Sequence, residues 1–449
     1  MYTLIKEARL VNEGVIQIKD VLIKGERIQK IAKDIVLDND LNYIEIDAKG
    51  CYLIPGIIDA QVHFREPGFT HKADIETESK AAVAGGVTSY MDMPNTHPSV
   101  LTQELLEQKY ALASAKSHAN YSFFMGVGRY NLDAVLRTNN ENVCGVSDDG
   151  LYFDDDEGIV ANHPEFLEQL FSRSNSLIAL HSEDDSIINS NIFKYKATYG
   201  DNIPVSYHPK IRSEAACVTA TKRVLEIAKK HSTRLHLLHL TTAIEAEMFS
   251  SLKISEKRIT SEVSAHHLYF SEEDYHSLGN RIKWNPAIKS SEDKEGLMKA
   301  LLNDKIDMIT TDHAPHTWAE KKGNYFEAKS GGPLVQHSLQ MMISFYEKGL
   351  ISLEKIVQKM CHHVADTYKI KERGYIREGY YADLVLVDLN ATYIVSAVNL
   401  LSKCNWSPLE GEVFCSQVTH TWVNGQLAFN NSKFLFRPVG KRLLFEKDR

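Results

Sequence analysis

The stretch "CYLIPGIIDAQVHFREPG", residues 51–68, is an apolar run that ends among ionisable and turn-forming residues. A short continuous apolar segment punctuated by Pro and Gly reads as a strand buried on both faces. His63 stands where that strand runs out, and Gln61 stands two residues before it. Two readings compete. One is a metal-binding strand end with one histidine replaced; the other is a polar turn after a buried strand.

The pattern recurs along the chain. After "LIPGIIDA" (53–60) come "TSYMDM" (88–93), "YSFFMGV" (121–127), "VCGVS" (143–147), "LIALH" (177–181), "LHLLHL" (235–240), "ITSEVS" (259–264) and "DMITTD" (307–312). Helical stretches lie between them, such as "HKADIETESKAAVAGG" (71–86) and "SEAACVTATKRVLEIAKK" (213–230). Eight strand–helix repeats predict an α/β fold of the (β/α)8 TIM-barrel kind. Both ends of the chain read differently. "VIQIKDVLIKGERIQKIA" (15–32) alternates about a turn at Gly25, and "ADLVLVDL" (382–389) and "VTHTWVNGQLAF" (418–429) do likewise, with an Asn424–Gly425 hairpin turn. The expectation is one small β-sandwich domain from residues 1–54 and 369–449, bracketing a barrel over 55–368.

Composition narrows the function. The 449 residues are 43% hydrophobic and 24% charged, with net charge −8, and the pI is about 6.2. Such a balance gives no support to a nucleic-acid or membrane surface, so neither is expected as a partner. The six cysteines form no CxxC pair, which argues against thiolate metal sites and a disulfide framework. The N-terminus has no signal-peptide apolar core, no run of 18 apolar residues occurs, and a cytoplasmic location is expected.

The ionisable residues then fall into place. His63 follows the first strand, Asp148 and Asp149 the fourth, His181 the fifth, His239 the sixth and Asp312 the eighth. In a barrel these carboxyl ends share one mouth. Imidazole nitrogens and carboxylate oxygens are the ligands of a hydrolytic zinc. Any one such histidine reads equally as a structural residue; five groups at strand ends point to a metal. Asp149, further out of its strand than Asp148, is the better ligand, although the pair also suits a turn before Gly150. The acidic run "DDDE" (154–157) reads as a solvated loop or helix start. His266 and His267 suit support of the site or plain structure, and His362 and His363 suit a structural place on a late helix.

Taken together, "HFREPG" (63–68), "MPNT" (93–96), "SDDG" (147–150), "HSED" (181–184), "HLTT" (239–242), "EVSAHHL" (262–268), "WNPAIKS" (284–290) and "TTDHAPH" (310–316) resemble the amidohydrolase superfamily, and within it the dihydroorotases. The resemblance implies zinc-dependent, reversible cyclisation of N-carbamoyl-L-aspartate to L-dihydroorotate in pyrimidine biosynthesis. It implies His181 and His239 as zinc ligands and Asp149 as an aspartate able to bridge two metals. His63 matches the second histidine of a His-x-His pair. Asp312 matches a metal contact and the catalytic acid/base. Arg65, Asn95, Asn285 and His316 match substrate-holding residues. The chemistry suits these roles: zinc-activated hydroxide attacks the ring amide, Asp312 carries the proton, and a guanidinium such as Arg65 pairs with the substrate carboxylate.

Gln61 is the departure, because most members of this family place a histidine there. An amide oxygen is a weak zinc ligand. One tight zinc is therefore expected at Asp149, His181 and His239, with a second weak or absent. No lysine occurs between Lys116 and Lys194, which excludes the carboxylated-lysine bridge of hydantoinases and allantoinases from the fourth strand. Two alternatives remain: a non-catalytic scaffold that binds aspartate transcarbamoylase, to which Gln61 points, and another cyclic amidohydrolase such as an allantoinase. The family also admits a homodimer and an aspartate transcarbamoylase partner. The segment after His316, "TWAEKKGNYFEAKSGGP" (317–333), is Gly- and Lys-rich and reads as a mobile lid.

Overall fold

The fold is described from a computed structural model covering residues 2–38, 40–151, 160–431, 433–434 and 437–447. The acidic run at 154–157 lies outside these residues.

The chain builds two kinds of sheet. A nine-stranded mixed sheet takes Tyr2–Asn12, Val15–Lys24, Arg27–Ala32, Tyr43–Asp47 and Tyr52–Pro55 from one end of the sequence. It takes Leu384–Asp388, Gln417–Val423, Gln426–Asn430 and Lys433–Phe434 from the other. The seam is the antiparallel pairing of Tyr52–Pro55 with Leu384–Val387. Asn424 and Gly425 both have positive φ, 51° and 71°, as the hairpin turn between Gln417–Val423 and Gln426–Asn430 requires. This is the separate β domain that the terminal alternation predicts.

The middle of the chain forms parallel strands separated by helices. Ile57–Val62, Val87–Asp92 and Asn120–Phe123 make one parallel sheet. Met125–Gly126, Val146–Ser147, Ile178–Leu180, Leu235–Leu237, Ile259–Ser264 and Met308–Thr310 make the next. Only Phe124 separates the two sheets in sequence, and its N–H donates to Asp92 O at 3.1 Å. At the far side Val62 bridges in parallel to His313, and His63 N–H donates to His313 O at 2.7 Å. The end of the first strand therefore lies beside the segment that follows the last.

Local sequence sets the helices. Asp74 caps Ile75–Ala84 by accepting from Thr77 N–H, and Ser213 caps Glu214–His231 by accepting from Ala216 N–H. Gly56 separates the two kinds of sheet, and a Cβ there would lie 2.0 Å from Thr88 Oγ1, so only glycine fits. All six residues of Ile57–Val62 are buried. Burial on both faces explains the apolar Ile57, Ile58, Ala60 and Val62, while Asp59 and Gln61 are polar groups buried within the same strand. The strands are shorter than the sequence suggests: "LHLLHL" is a strand only over 235–237 and "DMITTD" only over 308–310. His239 and Asp312 thus stand two residues beyond their strands, free of ladder bonding.

Candidate metal and substrate site

Side chains alternate along Ile57–Val62, so Asp59, Gln61 and His63 share one face. Asp59 accepts from Thr311 Oγ1 at 2.6 Å and from Thr311 N–H at 3.2 Å, tying the first strand to the loop after the last. Burial pushes its carboxyl up to about 7. The opening stretch therefore holds both a structural tie at Asp59 and, at His63, a member of a candidate metal-ligating group.

Two buried groups of metal-ligating atoms form here, Asp149–His181–His239 and His63–Asp149–Asp312, with Asp149 common to both. In the first, His181 Nδ1 and His239 Nε2 are 3.1 Å apart, and each lies 3.7 Å from Asp149 Oδ1. In the second, His63 Nε2 lies 3.2 Å from Asp149 Oδ2 and 3.2 Å from Asp312 Oδ1. Two imidazole nitrogens and a carboxylate oxygen converging in a buried place suit a divalent hydrolytic metal. Electrostatics agree. Burial opposes the Asp149 charge, but the imidazoles of His181, His239 and His63 beside it hold its carboxyl well below the usual range. Burial likewise opposes protonation of His63, yet Asp149 and Asp312 raise it to about 9. The pocket favours positive charge, which a metal ion could supply in place of those protons.

Gln61 sits beside this centre, fully buried. Its Nε2 donates to Asp149 Oδ2 at 3.1 Å, and its Oε1 is buried without a hydrogen-bond partner. Asp148 serves the backbone instead, accepting from His181 N–H at 3.0 Å and from Val160 N–H at 3.3 Å. Of the two aspartates in "SDDG", only Asp149 belongs to a metal-ligating group.

Above the centre opens a cavity of about 400 Å³, lined by His63, Asp149 and Asp312 and also by Arg65, Asn95, Asn285 and His316. The sequence-predicted substrate residues are thus gathered against the predicted metal residues, while His181 and His239 lie beneath. Arg65 is buried; its Nε donates to Pro315 O at 3.1 Å and its Nη2 lies 3.2 Å from His316 Nε2. Neither neighbour is an anion. Asn95 does more than face the cavity: its Oδ1 is 2.7 Å from His63 Nδ1 and orients that ring. Gly150, with φ 75°, allows this, because a Cβ there would lie 2.1 Å from Asn95 Nδ2. Asn285 Oδ1 is buried without a partner. Asp312 has φ 46°, and its carbonyl accepts from Trp284 Nε1 at 3.2 Å. Burial raises the Asp312 carboxyl, against the pull of His63.

The segment 317–333, whose composition suggests a mobile lid, is bonded to the rest of the chain by two inward-turned lysines. Lys321 turns inward and donates to Lys283 O at 3.3 Å, Lys329 O at 2.8 Å and Gly331 O at 2.7 Å. Lys283 donates to Tyr325 O at 2.5 Å and Ala328 O at 2.6 Å. These two lysines are internal staples, and residues of the segment form a wall of the cavity.

Sequence reasoning gave no role to Glu183 or Lys72. Glu183 is fully buried and accepts from His181 Nε2 at 2.8 Å, with Arg212 bonded to the same carboxylate oxygen. It lies two residues after His181 in "HSED", which was the available signal. His266 stacks on Trp284 with centroids 4.5 Å apart, and His267 Nε2 donates to Pro286 O at 3.1 Å. His362 and His363 bond to Gly374 O and Asp307 O, a structural place as expected.

The amidohydrolase family model matches residues 52–428. A dihydroorotase of Ligilactobacillus salivarius is 31% identical over 441 residues, covering 96% of this chain and 100% of the relative. One of Methanosarcina mazei is 32% identical over 420 residues, covering 91% and 90%. Among solved structures, the L-hydantoinase (dihydropyrimidinase) from Arthrobacter aurescens has a TM-score of 0.91 at 24% identity, covering 99% of this chain and 100% of that one, a likeness of fold alone. These likenesses run over nearly the whole length, and the chain belongs to the amidohydrolase family and, within it, to the dihydroorotases.

Proposed function

We propose that this dihydroorotase interconverts L-dihydroorotate and N-carbamoyl-L-aspartate, with zinc as its metal. One observation carries the reading: the buried guanidinium of Arg65, whose bonded neighbours are Pro315 O and His316 and not a carboxylate, lines the same cavity as Asp149 and Asp312. A ring that bears a carboxylate and a hydrolysable amide uses both ends of that cavity. The donor set of Asp149, His181 and His239 would hold one zinc tightly. Gln61 supports a weak or absent second ion, because its Nε2 already engages Asp149 Oδ2, the oxygen nearest His63.

When bound, the metal supplies a Lewis acid for the ring carbonyl and activates water at neutral pH. The chain does the rest. Arg65, Asn95, Asn285 and His316 seat the carboxylate and the ring amides. Asp312 takes the proton of the attacking water and delivers it to the ring nitrogen as the carbon–nitrogen bond breaks. Its upward-shifted carboxyl suits that exchange. Hydrolysis leaves a new carboxylate and releases a proton, so ring closure consumes one and is favoured at lower pH. His63, oriented by Asn95, holds Asp312 in place at 3.2 Å.

The same reading takes the parallel strands as a closed (β/α)8 barrel over 55–368, supported by the Val62–His313 bridge. It takes 1–54 and 369–449 as one β-sandwich. A homodimer, an aspartate transcarbamoylase partner and a cytoplasmic location accord with the resemblance. No helix among the described residues is long and apolar enough to cross a membrane. The test is direct: zinc-loaded protein is assayed for ring opening of L-dihydroorotate and ring closure of carbamoyl aspartate. Turnover in both directions supports the proposal. A folded, zinc-loaded protein without either activity that binds aspartate transcarbamoylase makes it a scaffold.

A further inference from the structure

Lys72 lies four residues after "HFREPG" and lines the cavity beside Arg65. Its side chain is only 12% exposed. Its Nζ lies 3.2 Å from His316 Nδ1 and 3.2 Å from Glu320 Oε1. An ammonium can only donate, so His316 Nδ1 must hold the lone pair and Nε2 the proton. That proton then goes to Ser330 O, 2.9 Å away. Arg65 Nη2 lies 3.2 Å from the same Nε2, a donor beside a donor. One neutral imidazole thus accepts from Lys72 at Nδ1 and donates to Ser330 O at Nε2, with the Arg65 guanidinium beside it but not bonded to it.

The charge at this end of the cavity is unbalanced. Arg65, Lys72 and Lys329 all line it. Against them at this end stands Glu320, a quarter exposed and held by Thr317 N–H and Thr317 Oγ1 as well as by Lys72. Asp312 and Asp149, which also act on Arg65, stand at the metal end, where a bound cation would offset them. A chain of net charge −8 has concentrated positive charge at one spot inside a cavity. Partly buried cations with too few counter-charges favour an anionic ligand over a neutral one. The distinction matters for this fold, whose structural neighbours include a dihydropyrimidinase.

We propose that Lys72 is a specificity-determining residue: together with Arg65 it makes the cavity select a cyclic diamide bearing a carboxylate over the same ring without one. Lys72 acts in two ways, as a second positive charge at the carboxylate seat and as the donor that fixes the His316 tautomer. The inference rests on the functional reading above.

The experiment compares kcat/KM for L-dihydroorotate and for 5,6-dihydrouracil, the same ring without its carboxylate, in zinc-loaded wild type, Lys72→Met and Lys72→Arg. Lys72→Met should lower the dihydroorotate value by about tenfold to a hundredfold, the scale of a lost charged hydrogen bond. The dihydrouracil value should change by less than about twofold, because a neutral ring gains little from a distant charge. Lys72→Arg should keep most of the preference. Should Lys72→Met fail to fold, Lys72→Gln, which keeps a donor for His316 Nδ1 but no charge, takes its place. If dihydrouracil turnover is too slow, the inhibition constants of orotate and uracil give the same ratio. Equal losses on both rings would make Lys72 structural, and an unchanged ratio would remove it from specificity; either overturns the proposal. A wild type that favours dihydrouracil would refute the functional reading itself, and the role of Lys72 with it.

Discussion

Glu183→Gln is the perturbation that the geometry makes most informative. Glu183 is fully buried, and its Oε2 takes the proton of His181 Nε2 at 2.8 Å. That bond leaves the lone pair on Nδ1, the nitrogen that faces Asp149 and His239. A negative charge behind the ring also makes Nδ1 a better donor to a metal. Burial works against the Glu183 charge, and Arg212 and His181 overcome it, holding the carboxyl well below its usual range. Glutamine keeps the shape and one acceptor oxygen but removes the charge. Charge-assisted hydrogen bonds are roughly twice as strong as neutral ones. Losing such a partner behind a ligand typically weakens metal binding by about 10- to 100-fold, or about 1.4–2.7 kcal/mol. The assay is competition for zinc between the stripped protein and a chromophoric chelator. Circular dichroism on the same samples checks that the fold is kept. Equal zinc affinity in wild type and Glu183→Gln would refute the argument that the carboxylate tunes His181.

Asp312→Asn should lower turnover by roughly 10²–10⁴, the scale of a lost general acid/base, with a melting temperature close to wild type; near-normal kcat would remove it from proton transfer. Gln61→His should strengthen a second zinc, since imidazole is the better ligand and the Gln61 bond to Asp149 Oδ2 is lost. Zinc counted per chain during titration decides it, and two equally tight ions in the wild type would contradict the weak-site reading. Lys283 predicts a pH dependence of stability. Burial, with Arg212 and Lys329 nearby, lowers its pKa from 10.5 to about 7. Between those values the unfolded chain holds the proton more readily than the folded one. The cost of burying Lys283 is therefore full below about 7 and relieved as pH rises toward 10.5. Relative to Lys283→Met, wild type should gain denaturation free energy between pH 7 and about 9.5; a constant difference would show that Lys283 keeps its proton.

The site was legible in the sequence where a ligand follows an apolar strand, because strand ends place side chains at one edge whatever the loops do. His63, Asp149, His181, His239 and Asp312 were found that way, and the structure groups all five. Resemblance supplied Arg65, Asn95, Asn285 and His316, which no spacing rule reaches, since they come from four separate loops. What stayed hidden depends on three-dimensional partnership. Glu183 matters because Arg212, 29 residues away, neutralises it. Lys283 and Lys321 gave no signal, because sequence does not show that backbone carbonyls surround their ammonium groups. Gln61 shows the limit most clearly. Sequence exposes the missing imidazole, but only the structure shows the replacement amide donating to the shared aspartate.

The central claim is a metal-dependent dihydroorotase with one decisive metal position. Chelator-stripped protein titrated with zinc, with L-dihydroorotate hydrolysis and bound metal followed together, tests it most directly. Activity should rise in proportion to the first zinc bound and level off near one per chain. Activity absent at every zinc loading, or appearing only as a second ion binds, would contradict it.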